Sequence, residues 1–134
     1  MKIALDTNVL VSAFLNPHGK PARILRLVLQ EEIDLLVDER LFDEYETVLL
    51  RPMFGLPEQD VMTVIDVLRN ISIHAMAYIG EVELPDEDDE PFLEVALSGN
   101  ADAIVTGNKR HFPQKRCKGI KIMSPDEFLK TLAD

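Results

Sequence analysis

The chain has one cysteine, Cys117, and no tryptophan among its 134 residues. A single thiol excludes an internal disulfide and suits a reducing cytoplasm. Three histidines, His18, His74 and His111, stand far apart with no second cysteine, which excludes a zinc site of ordinary ligand spacing. No run approaches the ~20 apolar residues that span a bilayer. Asp6 and Asn8 interrupt the N-terminal apolar stretch, so neither a membrane anchor nor a signal peptide is expected. Bases are the minority: 14 Lys and Arg against 24 Asp and Glu give a formal charge of −10. That balance argues against a passive nucleic-acid coat, which needs a positive surface to displace counterions.

What remains is a globular chain, 46% apolar and 28% charged. Its length fits a single domain over residues 1–134, burying roughly two-thirds of its unfolded surface. The charge is unevenly spread. Residues 83–91, ELPDEDDEP, hold six acids and no base, whereas residues 108–121, NKRHFPQKRCKGIK, hold six bases and no acid. Two solvated loops would read this way. So would one tract for a metal and one for a polyanion.

Along the chain, strand and helix patterns alternate. Residues 2–5 read as a strand and 9–15 as a short helix. Pro21 opens a helix through Leu29, and 33–37 form a second strand. Asp38 is placed to cap a helix that ends near Arg51-Pro52. A helix from Pro57 to about Arg69 follows, then a strand over 71–76. Phe92–Leu97 is helical and closes at Gly99. Residues 103–105 and 120–122 are short strands, and Ser124-Pro125-Asp126-Glu127 opens a last helix with the residues of a capping box. Such alternation predicts an α/β fold, a three-layer sandwich whose central sheet is mainly parallel. In such sheets ligands gather at the carboxyl ends of strands near the switch in strand order. The residues to weigh are therefore Asp6, Thr7 and Asn8, and Thr106, Gly107 and Asn108.

Several acids are candidates for that edge. Asp6 is either the N-cap of the following helix or a ligand. Glu44 falls on the flank of its helix's apolar stripe, where a surface glutamate and a site residue look alike. Asp86, Asp88 and Asp89 precede a helix N-terminus, which each stabilises by about 0.3–1 kcal/mol. Six acids exceed what capping needs, because like charges repel, and a hard cation such as Mg²⁺ or Mn²⁺ would relieve the cost. His111, among exposed-looking bases, reads as a loop histidine more readily than as a phosphate contact.

Taken in order, ALDTNVLVSAF, LFDEYETVLLRPMF, DEDDEPFLEVALSGNADAIVTGNKRHFP and IKIMSPDEFL span almost the whole chain, and together they resemble the PIN domain. That family is a ribonuclease fold found in the VapC-like toxins of toxin–antitoxin pairs. The resemblance implies an acidic quartet. It places Asp6 after the first strand, Glu44 ahead of a Val-Leu pair, and Asp89 at the helix opening, with Asp86 beside it for the same duty. The fourth position falls on Asn108, since this chain reads TGN where many relatives read TGD. An amide oxygen still coordinates a hard cation but brings no charge. The resemblance further implies metal-dependent hydrolysis of RNA phosphodiesters with Mg or Mn held by Asp6, Glu44, Asp89, Asp86 and Asn108. Asn8 and Thr106 would support the carboxylates, and Lys109, Arg110, Lys115 and Arg116 would hold the RNA backbone. A cognate antitoxin and a homodimer are the partners such toxins have. Two other readings compete. One is a PIN fold that binds without cutting, suggested by Asn108. The other is a phosphatase of the haloacid dehalogenase type, which wants an aspartate where Asn8 stands.

Overall fold

The structure, a computed structural model, describes residues 1–133. Its strands are β1 (Lys2–Leu5), β2 (Asp34–Val37), β3 (Ile73–His74), β4 (Ala103–Val105) and β5 (Lys121–Met123). They form one sheet in the order β3-β2-β1-β4-β5, and every pairing is parallel. Ile3–Leu5, Leu35–Val37 and Ala103–Val105 are buried throughout. Central parallel strands covered on both faces read as unbroken apolar runs for this reason.

The helices are α1 (Thr7–Leu15), α2 (Lys20–Leu29), α3 (Glu39–Leu49), α4 (Glu58–Ile71), α5 (Glu90–Ser98) and α6 (Pro125–Leu132). From β1 the chain steps to β2 and β3 in one direction, through α1–α4. It then returns across the sheet to β4 through α5. Parallel crossovers are right-handed, so this reversal puts α5 on the opposite face. There it packs on β1, β2 and β4, while α1–α4 pack on one another. The three-layer α/β/α sandwich expected from the sequence is present, with a sheet wholly parallel.

Local chemistry sets the helix ends. The Asp38 carboxylate accepts from the Leu41 N–H at 3.2 Å and starts α3. Ser124 and Glu127 form a reciprocal capping box on α6. Gly99 closes α5 where a Cβ would lie 2.6 Å from the Leu36 side chain, so only glycine lets this helix end sit against β2. The buried stripe of α3, Leu41, Phe42, Tyr45 and Leu49, enters the core, where Tyr45 lies against Phe42 and Phe92.

Several boundaries differ from expectation, two of them with a visible reason. Helix α1 begins at Thr7 and not Val9, because Asp6 already occupies its N-cap position. Strand β3 covers two residues rather than six: α4 runs on to Ile71, and Ile73 and His74 form an exposed sheet edge. Strand β5 lies one residue later than expected, over 121–123.

Candidate metal centre at the carboxyl edge of the sheet

Connections leave β1 and β4 in opposite directions, so their carboxyl ends flank the point where strand order switches. Leu5 pairs with Val105, and the Asp6 N–H donates to the Val105 carbonyl at 2.9 Å. Asp6 and Thr106 therefore emerge side by side. Asp6 stands at the N-cap of α1 but its side chain makes no capping bond. Instead the carboxylate, 3% exposed, turns toward β4. Its Oδ2 accepts from Thr106 Oγ1 at 2.7 Å, His111 Nδ1 at 2.9 Å and Asn8 Nδ2 at 3.3 Å. Among the described residues, Oδ1 accepts nothing.

The acidic tract divides in the same way. Asp86 caps a short 3₁₀ turn by accepting from the Asp88 N–H at 2.9 Å, Glu90 accepts from the Leu84 N–H at 3.0 Å, and Glu83 lies 3.7 Å from Arg116. Asp88 is exposed. Asp89 is half-buried at the start of α5, with no capping bond, and among the described residues its carboxylate has no hydrogen-bond donor. Burial first, and the negative charge of Asp6 second, push its carboxyl from 3.8 up to about 6, although His111 pulls the other way. Ligand atoms of Asp6, Asp89 and His111 all lie within 4.8 Å of one another.

Glu44 approaches from α3. The hydroxyl of Tyr45 donates to the Leu5 carbonyl at 2.6 Å and pins α3 to the end of β1. Glu44 Oε2 accepts from the hydroxyl of buried Thr7. Burial raises the Glu44 carboxyl above its ordinary range, the Thr7 bond opposes this, and Asp6 and Asp88 add to the rise. Glu44 thus borders the Asp6–Asp89–His111 group, electrostatically coupled to it but outside its 4.8 Å radius.

The loop after β4 wraps the Asp6 carboxylate. Asn8 Oδ1 accepts from the Gly107 N–H at 3.0 Å, and Thr106 Oγ1 accepts from the Asn108 N–H at 3.0 Å. The Asn108 side chain caps the next turn, its Oδ1 accepting from the Arg110 N–H at 3.1 Å, while its Nδ2 lies 3.3 Å from His111 Nε2. Lys109 pairs with Glu127 and holds that carboxyl down to about 2. Arg110 is exposed with no carboxylate partner among the described residues. Lys115 and Arg116 stand on a separate turn and line a polar hollow with Glu90 and Glu94.

Asp6, Asp89, Glu44, Asn8, Thr106 and Asn108 are thus drawn toward one edge, whereas Asp86 is spent as a cap and Lys115 and Arg116 lie on a different turn. Two neighbours escaped the sequence reading. His111, which the sequence reads as a loop histidine, donates to Asp6; Phe112 beside it, buried and anchoring that loop, is the available signal. Thr7 was noted after the strand but given no task, and nothing in the sequence links it to Glu44.

Hard oxygen donors on two carboxylates, Asp6 with one oxygen unused and Asp89 raised first by burial and then by the charge of Asp6, fit a small divalent cation. They do not fit a soft metal, since the one thiol, Cys117, is buried and bonded to the Pro113 carbonyl.

Comparison with known proteins bears on the fold and the family. The chain is 25% identical over 140 residues to an uncharacterized protein of Methanocaldococcus jannaschii, a match covering 97% of this chain and 90% of that one. Its fold is similar to that of a chain in the crystal structure of VapBC2 from Rickettsia felis bound to a DNA fragment from the promoter. That likeness has a TM-score of 0.63 at 19% identity and covers 92% of this chain and 98% of the other. A family model described as the PIN domain matches residues 2–110, from the start of β1 through the loop that wraps Asp6. The chain belongs to the PIN-domain family.

Proposed function

We propose that this protein is a divalent-metal-dependent endoribonuclease and the toxin of a toxin–antitoxin pair. The observation that carries the reading is the pair of unsatisfied carboxylates: Asp89 has no donor, and the free Oδ1 belongs to an Asp6 whose other oxygen takes three hydrogen bonds. A fold that buries a carboxylate beside a second one, with only the His111 imidazole to oppose both among the described residues, suits a ligand of positive charge. Asp6 and Asp89 would hold Mg²⁺ or Mn²⁺, with Glu44 reaching it directly or through water and Asp86 only through the oxygen that its cap leaves over. Asn108 would reach it only by releasing the Arg110 N–H. When bound, such an ion makes a coordinated water a better nucleophile and stabilises charge on phosphate oxygens.

The chain's own residues do the rest. Thr106, Asn8 and His111 fix the Asp6 carboxylate, and Thr7 fixes Glu44, so the acids need not reorganise when substrate arrives. Glu44, with its carboxyl raised and at the border of the group, is placed to take a proton from water. Arg110, next to His111 and without a carboxylate partner among the described residues, is available for a phosphate; Lys115 and Arg116, on a separate turn beside Glu83, Glu90 and Glu94, would meet the RNA backbone farther along. RNA is the substrate that the family resemblance implies, and phosphate contacts of this kind would offset the acidic centre's repulsion. A cognate antitoxin belongs to the same reading, which the structural likeness to VapBC2 supports, and a homodimer and a cytoplasmic setting go with it as further parts of the proposal.

The test is cleavage of labelled single-stranded and structured RNAs by the purified, partner-free protein in Mn²⁺, Mg²⁺ or excess EDTA. Cleavage is expected with either ion and with neither in EDTA, and Asp6→Asn is expected to abolish it. Equal cleavage by Asp6→Asn, or cleavage undiminished by EDTA, overturns the proposal.

A further inference from the structure

The hydrogen-bond directions around Asn108 determine one another. A backbone N–H only donates, so the Asn108 atom that meets the Arg110 N–H at 3.1 Å is its oxygen. The atom facing His111 is then the amide nitrogen, which also only donates. In the neutral ring His111 Nε2, 3.3 Å away, then offers the lone pair, which leaves the ring proton on Nδ1, aimed at Asp6 Oδ2 at 2.9 Å. The same logic fixes Asn8, whose oxygen takes the Gly107 N–H and whose nitrogen faces Asp6. Thr106 closes the third route, accepting from the Asn108 N–H and donating to Asp6.

We propose that Asn108 and His111 are positioning residues acting as one relay, Asn108–His111–Asp6, which fixes the imidazole tautomer and binds Asp6 Oδ2 so that only Oδ1 faces the acidic cluster. An asparagine in the loop after β4 is then not a weakened aspartate. It is the residue type this relay requires, because its side chain must accept on one side and donate on the other. An aspartate at 108 in the same rotamer would present an acceptor to His111 Nε2 and break the relay. Asn108→Asp is therefore expected to impair the site, although it adds a carboxylate to it.

The inference rests on the metal-site reading only for its consequence, so the first readout needs no metal. Imidazole ¹⁵N spectra of the full chain, recorded in EDTA at a pH above imidazole titration, report which ring nitrogen carries the proton. His111→Phe identifies the His111 signals by their loss. If that variant does not fold, His18→Gln and His74→Gln identify them by elimination. A protonated Nδ1 with a bare Nε2 is expected, and Asn108→Asp is expected to destroy that pattern. A proton on Nε2 in the native chain, or an unchanged pattern in Asn108→Asp, overturns the relay.

The second readout is Mn²⁺ affinity by calorimetry. His111→Ala is expected to weaken binding by about tenfold, as loss of a partner behind a ligand commonly does. His111→Asn carries an amide N–H where the imidazole carries Nδ1–H, and is expected to recover most of that loss. Equal affinity in the native chain and His111→Ala overturns the positioning role. Absence of Mn²⁺ binding in the native chain overturns the metal-site reading and leaves the tautomer result standing by itself.

Discussion

Replacing Asp89 with asparagine removes a negative charge that, in the metal-free protein, lies against the charge of Asp6 with only His111 to oppose it among the described residues. The carboxyl stands at about 6 in the fold against an ordinary 3.8. Each pH unit between these values is worth about 1.4 kcal/mol, so the ionised form would cost the fold about 3 kcal/mol in a dry site. Asp89 is half-buried, and screening by water and salt reduces that to about 1 kcal/mol. Because the folded value is the higher one, this cost is absent below pH 3.8, grows as pH rises, and is fully present above about 6. At pH 7.5 in EDTA, Asp89→Asn is therefore expected to melt about 3–4 °C above the native chain. Near pH 5 the gap should narrow, since the native carboxyl is then largely protonated. A divalent ion inverts the order. Mn²⁺ at about a hundred times its Kd stabilises the native chain by about 2.7 kcal/mol, or roughly 8–10 °C. A hundredfold weaker site in the variant would retain about 0.4 kcal/mol, under about 2 °C. Thermal melts by circular dichroism in EDTA and in Mn²⁺ test both halves. A variant that melts below the native chain in EDTA, or keeps its full Mn²⁺ response, refutes the reasoning.

Other perturbations follow from the same geometry. Tyr45→Phe leaves the buried Leu5 carbonyl without its donor and should cost about 1–3 kcal/mol in urea unfolding, with little change in volume. Gly99→Ala should cost about 1–3 kcal/mol in the same assay, because its Cβ would overlap Leu36 at 2.6 Å. Thr7→Val releases Glu44 and should lower RNA cleavage by about tenfold while leaving the melting temperature nearly unchanged. Arg110→Ala should weaken binding to every single-stranded RNA alike and reduce the slope of log affinity against log salt by about 0.7, measured by fluorescence anisotropy.

The strands that carry the site were legible because each is buried on both faces. Ile3–Leu5 and Ala103–Val105 read as short apolar runs ending in polar residues, and that pattern marked Asp6 and Thr106. The capping residues Asp38 and Ser124 were legible for a similar reason, since their partners are three residues away in sequence. Strand β3 was misjudged because Ile71 and Ile73 alternate as a strand would, while tertiary packing extends α4 to Ile71 and leaves Ile73 on an exposed edge. Composition could not sort the acidic tract. Whether an acid caps, pairs or stays unsatisfied depends on backbone groups such as the Leu84 and Asp88 N–H, whose positions periodicity does not encode. His111 was illegible for the deepest reason: its bond to Asp6 joins residues 105 apart, through a loop whose shape is set by hydrogen bonds to Asn8 and Thr106.

The central claim, that Asp6 and Asp89 are built around a divalent ion, is tested most directly by anomalous diffraction from crystals of the protein grown with Mn²⁺. An anomalous peak within coordination distance of Asp6 Oδ1 and an Asp89 oxygen is expected, with His111 still on Oδ2. Crystals with Mn²⁺ bound elsewhere, and Asp6 and Asp89 as they stand here, would contradict it.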